Sequence, residues 1–198
     1  MKCRHAKDSD FDRICDILAT AFSDEPVHKR IFEDREPKER IDVLRHFFRI
    51  YVNLANKYGG TLLDKNNAGA LVYFRPEAME ITNEELAEVD DQLRQVCGPN
   101  YAAVSILTEG LNHYHPQTRA HYYISLLAVD RSSRGGSVTA ALFNELNAML
   151  DRDKFPCYAE CTQFSTRTLI RRWGYRDAGP PLRIEGFPEF YPVWREFQ

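Results

Sequence analysis

The sequence predicts an α/β fold, a mixed central sheet flanked by helices, in one domain spanning residues 1–198. Three observations carry this expectation. The second half alternates apolar, strand-like runs with helical segments, the order that builds sheet-and-helix layers. The first half holds two strongly amphipathic helical periods followed by a pair of short apolar runs joined by a turn. The length of 198 residues, with 43% hydrophobic and 28% charged content, suits one core that buries roughly 70% of the unfolded surface.

Asp8-Ser9-Asp10 is a cluster of N-cap residues, and Phe11, Ile14, Cys15, Leu18 and Phe22 follow it at helical spacing. A second helix begins near Pro37 and places Ile41, Leu44, Phe47, Tyr51, Leu54 and Tyr58 on one stripe. Gly59-Gly60 reads as its C-terminal stop. Thr61–Asp64 and Ala68–Phe74 are the paired strands, with Asn66-Asn67 in their turn. Thr82 and Glu85 form a capping box for a polar helix that runs to Cys97 and halts at Gly98-Pro99. Ala102–Leu111 is a further helix, weakened by Gly110. Beyond it come a strand at His121–Val129, a helix at Ser137–Leu150, a strand at Pro156–Thr162 and a helix at Ser165–Trp173. Two last strands fall near Tyr175–Asp177 and Phe190–Arg195.

The formal charge of −3 argues against a dedicated nucleic-acid binder, which carries a basic surplus. Cys3, Cys15, Cys97, Cys157 and Cys161 are odd in number, scattered and without a CxxC pair, so reduced thiols are expected, with Cys157 and Cys161, four apart, a half-buried pair facing the same way. The opening residues lack the apolar stretch of a secretory leader, and no apolar run approaches the ~20 residues that span a membrane. A cytoplasmic protein without a membrane partner is the expectation. His113 and His115 stand in His-x-His spacing without a third or fourth partner, so no metal site is expected.

The chemistry concentrates in Leu126 to Leu142. An apolar strand runs into Asp130-Arg131-Ser132-Ser133-Arg134-Gly135-Gly136 and then directly into a helix at Ser137. Adjacent glycines let successive N–H groups turn inward as an anion nest. The helix N-terminus adds unpaired N–H groups and partial positive charge, and Arg134 adds a formal one. A pyrophosphate fits such a site; a plain tight turn with Ser137 as N-cap has the same sequence signature. Neither G-x-G-x-x-G nor G-x-x-x-x-G-K-[ST] occurs. From Asp130 to Asp177 there are eight Lys and Arg against six Asp and Glu, which leaves 18 against 23 elsewhere. The glycine turn thus lies in the basic part of an acidic chain.

Val129 to Leu142 resembles motif A of the GNAT acetyltransferases, where a strand ending Val-Asp-Pro leads into Arg/Gln-x-x-Gly-x-Gly/Ala. Tyr158-Ala159-Glu160-Cys161-Thr162, with Leu169-Ile170-Arg171-Arg172-Trp173-Gly174-Tyr175 after it, is similar to motif B of the same family. Ala6 to Asp10 and the helix to Phe22 resemble the family's opening strand and helix. The three segments occur in the family's order and cover most of the chain, with residues 76–118 more divergent. Departures are present: Arg131 replaces the usual proline, Ser137 and Thr139 stand at the two glycine-type positions, and Ile170 stands where many members carry a tyrosine that protonates the leaving thiolate.

The resemblance implies a GNAT-like fold and direct acyl transfer from acetyl-CoA, or another acyl-CoA, to a small-molecule amine. It implies that Leu127 and Val129 meet the pantetheine arm through their main chain. It also implies that Arg134, Gly135, Gly136, Ser137, Val138 and Thr139 cradle the pyrophosphate, with Gln163 near a further CoA contact. Glu160 is the candidate base and Tyr123 the candidate acid in place of the missing tyrosine. Either Tyr122 or Tyr123 must face the active side of a regular strand. His121, at the strand's edge, reads as a solvated residue. Phe187, Phe190, Tyr191 and Trp194 either line an acceptor pocket or pack the final strand. A monomer or homodimer is expected. The alternative function is a non-catalytic module of the same fold that binds CoA or another ligand.

Overall fold

The computed structural model describes residues 3–198. Among these residues, seven strands form one sheet in the order β1-β2-β3-β4-β5-β7-β6. The strands are β1 (Cys3–His5), β2 (Gly59–Asp64), β3 (Gly69–Phe74), β4 (Tyr122–Val129), β5 (Cys157–Cys161), β6 (Arg176–Asp177) and β7 (Tyr191–Arg195). All neighbours pair antiparallel except β4 and β5, which are parallel. A parallel pair needs a long crossover, and helix α6 (Ser137–Asp153) supplies it.

The helices α1 (Phe11–Phe22), α2 (Pro26–Ile31), α3 (Pro37–Tyr58), α4 (Asn83–Cys97) and α5 (Tyr101–Tyr114) contribute to one apolar core. On the other side of the sheet, α6 and α7 (Phe164–Ile170) build a second core. β3 is buried along its whole length because it lies between the two. Cys157 and Cys161 share one face of β5, as their spacing requires, but they are buried rather than half-buried, as are the other three cysteines.

Register is interrupted at one functional place. Val72 pairs with Leu126, but Tyr73 pairs with Ile124, so Ser125 is an extra residue in β4. Such a bulge shifts the side-chain alternation by one. Tyr123, Leu126 and Ala128 therefore pack on the α1–α3 side, whereas Ile124, Leu127 and Val129 pack on the α6 side.

Several elements differ from the sequence expectation for identifiable reasons. Gly59-Gly60 does not cap α3 in a left-handed turn: Gly59 is extended and begins β2. Its glycine is needed for close approach, since a Cβ there would stand 2.1 Å from the Tyr73 carbonyl oxygen. Gly110 sits inside α5, which runs past Leu111 to Tyr114, and a Cβ there would meet the Ile184 side chain at 2.8 Å. The first strand precedes Ala6, and Asp8–Asp10 form a 3-10 turn instead. The helix expected at Ser165–Trp173 ends at Ile170 and continues as a 3-10 turn. Helix α2 was not legible as a periodic segment, being only six residues long; Pro26 at its first position and Glu25 as N-cap start it.

Candidate active site

β4 and β5 pair only at Tyr122–Cys157, Tyr123–Tyr158 and Ile124–Ala159. Past that point the strands part, although β4 continues to Val129 and β5 to Cys161. The parting opens a cleft of about 460 Å³ that follows β4 from Tyr123 to Val129. Main-chain groups that a neighbouring strand would otherwise satisfy face this gap. Glu160 illustrates it: the residue is half-buried, but its side chain is 4% exposed. The remaining exposure belongs to its main chain.

Leu127, Val129, Arg134, Gly135, Thr139 and Gln163 all line the cleft. Gly135 adopts φ +77°, a left-handed conformation that favours glycine. Gly136, not Ser137, is the N-cap of α6, and Ser137 is an exposed first helical residue. The first-turn N–H groups from Ser137 to Thr139 lie where a helix provides no acceptor, and that turn contains no acidic side chain. The Val138 side chain turns away into the α6 core. Arg134 folds back, its Nε donating to the Val129 carbonyl at 3.3 Å. That carbonyl is therefore already engaged, a detail absent from the sequence expectation. Arg131 pairs with Asp24 and Arg13 with Asp130, so the turn is tied to both ends of α1. Ile170 lines the cleft and is 2% exposed, packed as a core residue.

Tyr123 and Tyr122 separate as alternation demands. Tyr122 donates to Asp153 at 2.6 Å on the α6 side, while Tyr123 lines the cleft. Tyr123 stacks on Phe74 at 6.2 Å and meets His115 edge-on at 4.9 Å. Burial first, and the Glu160 carboxylate second, hold its phenol well above the ordinary tyrosine value. It therefore stays protonated at neutral pH. Glu160 Oε1 is buried without a hydrogen-bond partner, an unusual condition for a carboxylate oxygen.

A second carboxylate at the cleft was missed by sequence reasoning. Glu25 caps α2: Oε2 accepts from the Val27 N–H at 3.0 Å and lies 3.1 Å from His28 Nδ1, while buried Oε1 has no partner. The signal was present in Glu25-Pro26, since proline at a first helical position marks the residue before it as N-cap. Buried Arg40 holds this segment in place by donating to the carbonyls of Ser23, Phe32 and Arg35. Phe22, Phe47, Tyr51 and Phe190 add aromatic wall. Of the tail aromatics, Phe190 thus reaches the cleft, whereas Trp194 packs on His121 at 5.3 Å and Tyr191 on Phe164 at 5.5 Å.

His121 is not solvated but 2% exposed, enclosed by Tyr158 and Trp194. His115 turns inward and His113 outward. Among the described residues no group of three His, Cys, Asp or Glu side chains is placed to hold a metal ion, and no helix is long and apolar enough to cross a membrane.

At the level of sequence, no protein-family model and no curated protein matches the chain. Solved structures do. A Corynebacterium glutamicum protein described as histone acetyltransferase HPA2 and related acetyltransferase superposes with TM-score 0.69 at 21% identity, over 100% of this chain and 98% of that one. The chain has the GNAT fold. Two further structures of this fold are similar over nearly their full lengths. Arylalkylamine N-acetyltransferase 2 from Aedes aegypti gives TM-score 0.59 at 12% identity, covering 100% of this chain and 99% of that one. An agmatine N-acetyltransferase gives 0.56 at 14%, covering 97% and 96%. Within the GNAT fold the parted strands, the glycine turn and the N-terminus of α6 lie on one cleft, together with Tyr123 and Glu160.

Proposed function

We infer that the protein is a CoA-dependent N-acyltransferase acting on a small amine with an apolar or aromatic body. The observation that carries this reading is the cleft between β4 and β5, which joins the uncapped N-terminus of α6, free of acidic side chains, to two carboxylates lacking full hydrogen-bond partners. The acyltransferase names of the structural neighbours support the same reaction class. A cytoplasmic setting, with five reduced thiols, belongs to this reading.

The residues fit an acyl-CoA thioester, whose part in the reaction is to supply the activated acyl group. Arg134, Gly135 and the first turn of α6 would bind its phosphates, and unpaired main chain of β4 would hold its extended arm as an added strand does. Thr139 borders that turn, and Gln163, exposed at the start of α7, faces it from the other side of the cleft. Glu160 takes the proton from the acceptor ammonium, freeing the nitrogen lone pair for attack. Glu25 and the aromatic wall bind the amine's cationic and apolar parts. Tyr123, kept protonated by burial, donates to the departing thiolate in place of the tyrosine that Ile170 displaces.

A module that binds CoA without transfer has Ser137, Thr139 and Ile170 in its favour. Two buried carboxylates with unpaired oxygens weigh against a module that holds CoA alone, because that anionic ligand offers no cation to repay their desolvation. Thiol release from acetyl-CoA, followed across a panel of phenethylamine, tryptamine and agmatine, separates the two. Release above the amine-free rate supports transfer; binding of acetyl-CoA without release from any amine supports the module.

A further inference from the structure

Three ionisable side chains meet beside the cleft in a sequence of contacts that fixes where each hydrogen sits. Nδ1 of His121 lies 2.6 Å from the Arg119 carbonyl oxygen. A carbonyl only accepts, so this nitrogen carries a hydrogen. Burial lowers the His121 pKa and favours its neutral ring, which then presents a lone pair at Nε2. Nε2 of His115 is 3.1 Å away and must supply the hydrogen between the two rings. The remaining nitrogen of a neutral His115, Nδ1, is left with a lone pair. It lies 3.7 Å from Glu160 Oε1, the buried oxygen without a partner. Two acceptors thus face each other beyond hydrogen-bond distance, with no hydrogen between them. One added proton supplies the missing donor, and an approach of about 1 Å by the two side chains then makes a charge-assisted bond.

The surroundings preserve this arrangement. Tyr123 from β4 and Tyr158 from β5 face His115 edge-on at 4.9 and 5.2 Å. Burial raises both phenols, so they remain neutral. Trp194 of β7 covers His121. The Arg119 guanidinium turns onto Glu196 in a two-fold contact of 2.7 Å and lies over the Trp194 ring. The carboxylate that faces the histidine pair is Glu160.

We propose that His115 and His121 form a proton relay behind Glu160, with His115 receiving the proton that Glu160 collects and His121 fixing the tautomer that lets it do so. The proposal rests on Glu160 being the base of the acyl transfer. An acceptor ammonium loses one N–H proton to the Glu160 carboxylate. Glu160 then passes that proton from Oε1 to Nδ1 of His115, which regenerates the carboxylate and makes His115 an imidazolium. Its Nε2 hydrogen stays bonded to His121. The substrate has lost one proton and His115 has gained one, so the count closes without another reactant. Holding the proton away from the nucleophile prevents its immediate return to the amine.

Two measurements test this. Nitrogen-15 spectra of the histidines at pH 8, with no ligand, are expected to show His121 protonated at Nδ1 and His115 at Nε2. A neutral His115 protonated at Nδ1 overturns the relay. The second measurement follows kcat against pH for acetyl-CoA and phenethylamine in wild type and His115→Ala. Wild-type kcat should fall on the acid side, because an acceptor that is already occupied cannot take the proton from Glu160. His115→Ala should lose about 10- to 100-fold in kcat at neutral pH with both KM values retained, lose that acid limb, and recover on adding imidazole. Wild-type kcat in the variant, or a loss that imidazole does not repair, overturns the relay while leaving the acyltransferase reading intact. A wild type that binds acetyl-CoA but acylates no amine removes that reading and the relay with it.

Discussion

Ile124 and Ala159 face each other as the last paired residues of β4 and β5. One residue further on, Ser125 bulges from β4, and Glu160, still paired with Pro192 of β7, has no partner on β4. The same break therefore frees main chain for a ligand and brings a carboxylate to the cleft. Binding surface and candidate base come from one local failure of strand pairing.

Gly135 tests the binding half of that relationship. A Cβ at this position meets nothing within 4 Å, so a substitution acts through the backbone and not through a clash. Valine at φ +77° costs on the order of 1–2 kcal/mol and forces the turn to move. Gly135→Val is expected to weaken acetyl-CoA binding at least about tenfold in calorimetric titration, while thermal unfolding stays cooperative. Unchanged affinity would place the phosphate site elsewhere.

The catalytic half is tested by Glu160→Gln and Tyr123→Phe. Glutamine keeps the size of the side chain but cannot take a proton, and about a 100-fold loss of kcat is expected with acetyl-CoA affinity retained. Phenylalanine keeps the stack on Phe74 and the contact with His115 but removes the hydroxyl. A smaller loss, about tenfold, is expected there. Single-turnover rates with acetyl-CoA and phenethylamine distinguish both from a binding defect.

Gly59→Ala addresses the fold. The new methyl would sit 2.1 Å from the Tyr73 carbonyl oxygen, which neither paired strand can yield without breaking register. A destabilisation of about 2 kcal/mol or more is expected, seen as a melting temperature lower by about 4 °C or more. A variant that melts with wild type would mean that β2 and β3 separate more easily than their pairing implies.

Acid stability has a local source in Asp10. Its carboxylate accepts from Nη1 and Nη2 of Arg4, at 2.7 and 2.8 Å, and from the Lys7 N–H at 2.8 Å. The side-chain bond to Arg4 is the main cause that holds its pKa down to about 2. A depressed folded value stabilises the native state above the unfolded value of 3.8, and that contribution is lost as pH falls toward 2. Because Arg4 is well exposed, about 1 kcal/mol remains after solvent screening. Urea titrations from pH 6 to pH 2 should show a shallower acid loss in Asp10→Asn than in wild type; parallel curves would contradict this.

Much of the scaffold was legible because it rests on local rules. The stripe on α3, the Thr82–Glu85 box and the run from β4 into α6 depend on periodicity, capping and turn chemistry within a few residues. What stayed hidden depends on contacts far apart in sequence. Gly59 and Gly110 read as a stop and a weakness, yet each makes room for a residue of another element, Tyr73 and Ile184. His121 read as a strand-edge residue, but Trp194, 73 positions later, covers it. Glu25 lies outside the resembling motifs, and only the folding of α2 against α3 through Arg40 makes it part of the cleft wall. Motif and alternation point to Glu160 and Tyr123, but that both face His115 depends on the end of α5 packing against β4 and β5.

An acyl-CoA held between the parted strands is expected to pass its acyl group to an amine. Mass analysis of phenethylamine, tryptamine and agmatine incubated with acetyl-CoA and the protein tests it most directly, with Glu160→Gln and amine-free reactions alongside. Formation of an N-acetylated amine by wild type, reduced about 100-fold by Glu160→Gln, is the predicted result. No acetylated amine above the protein-free background, with acetyl-CoA at millimolar concentration, would contradict it.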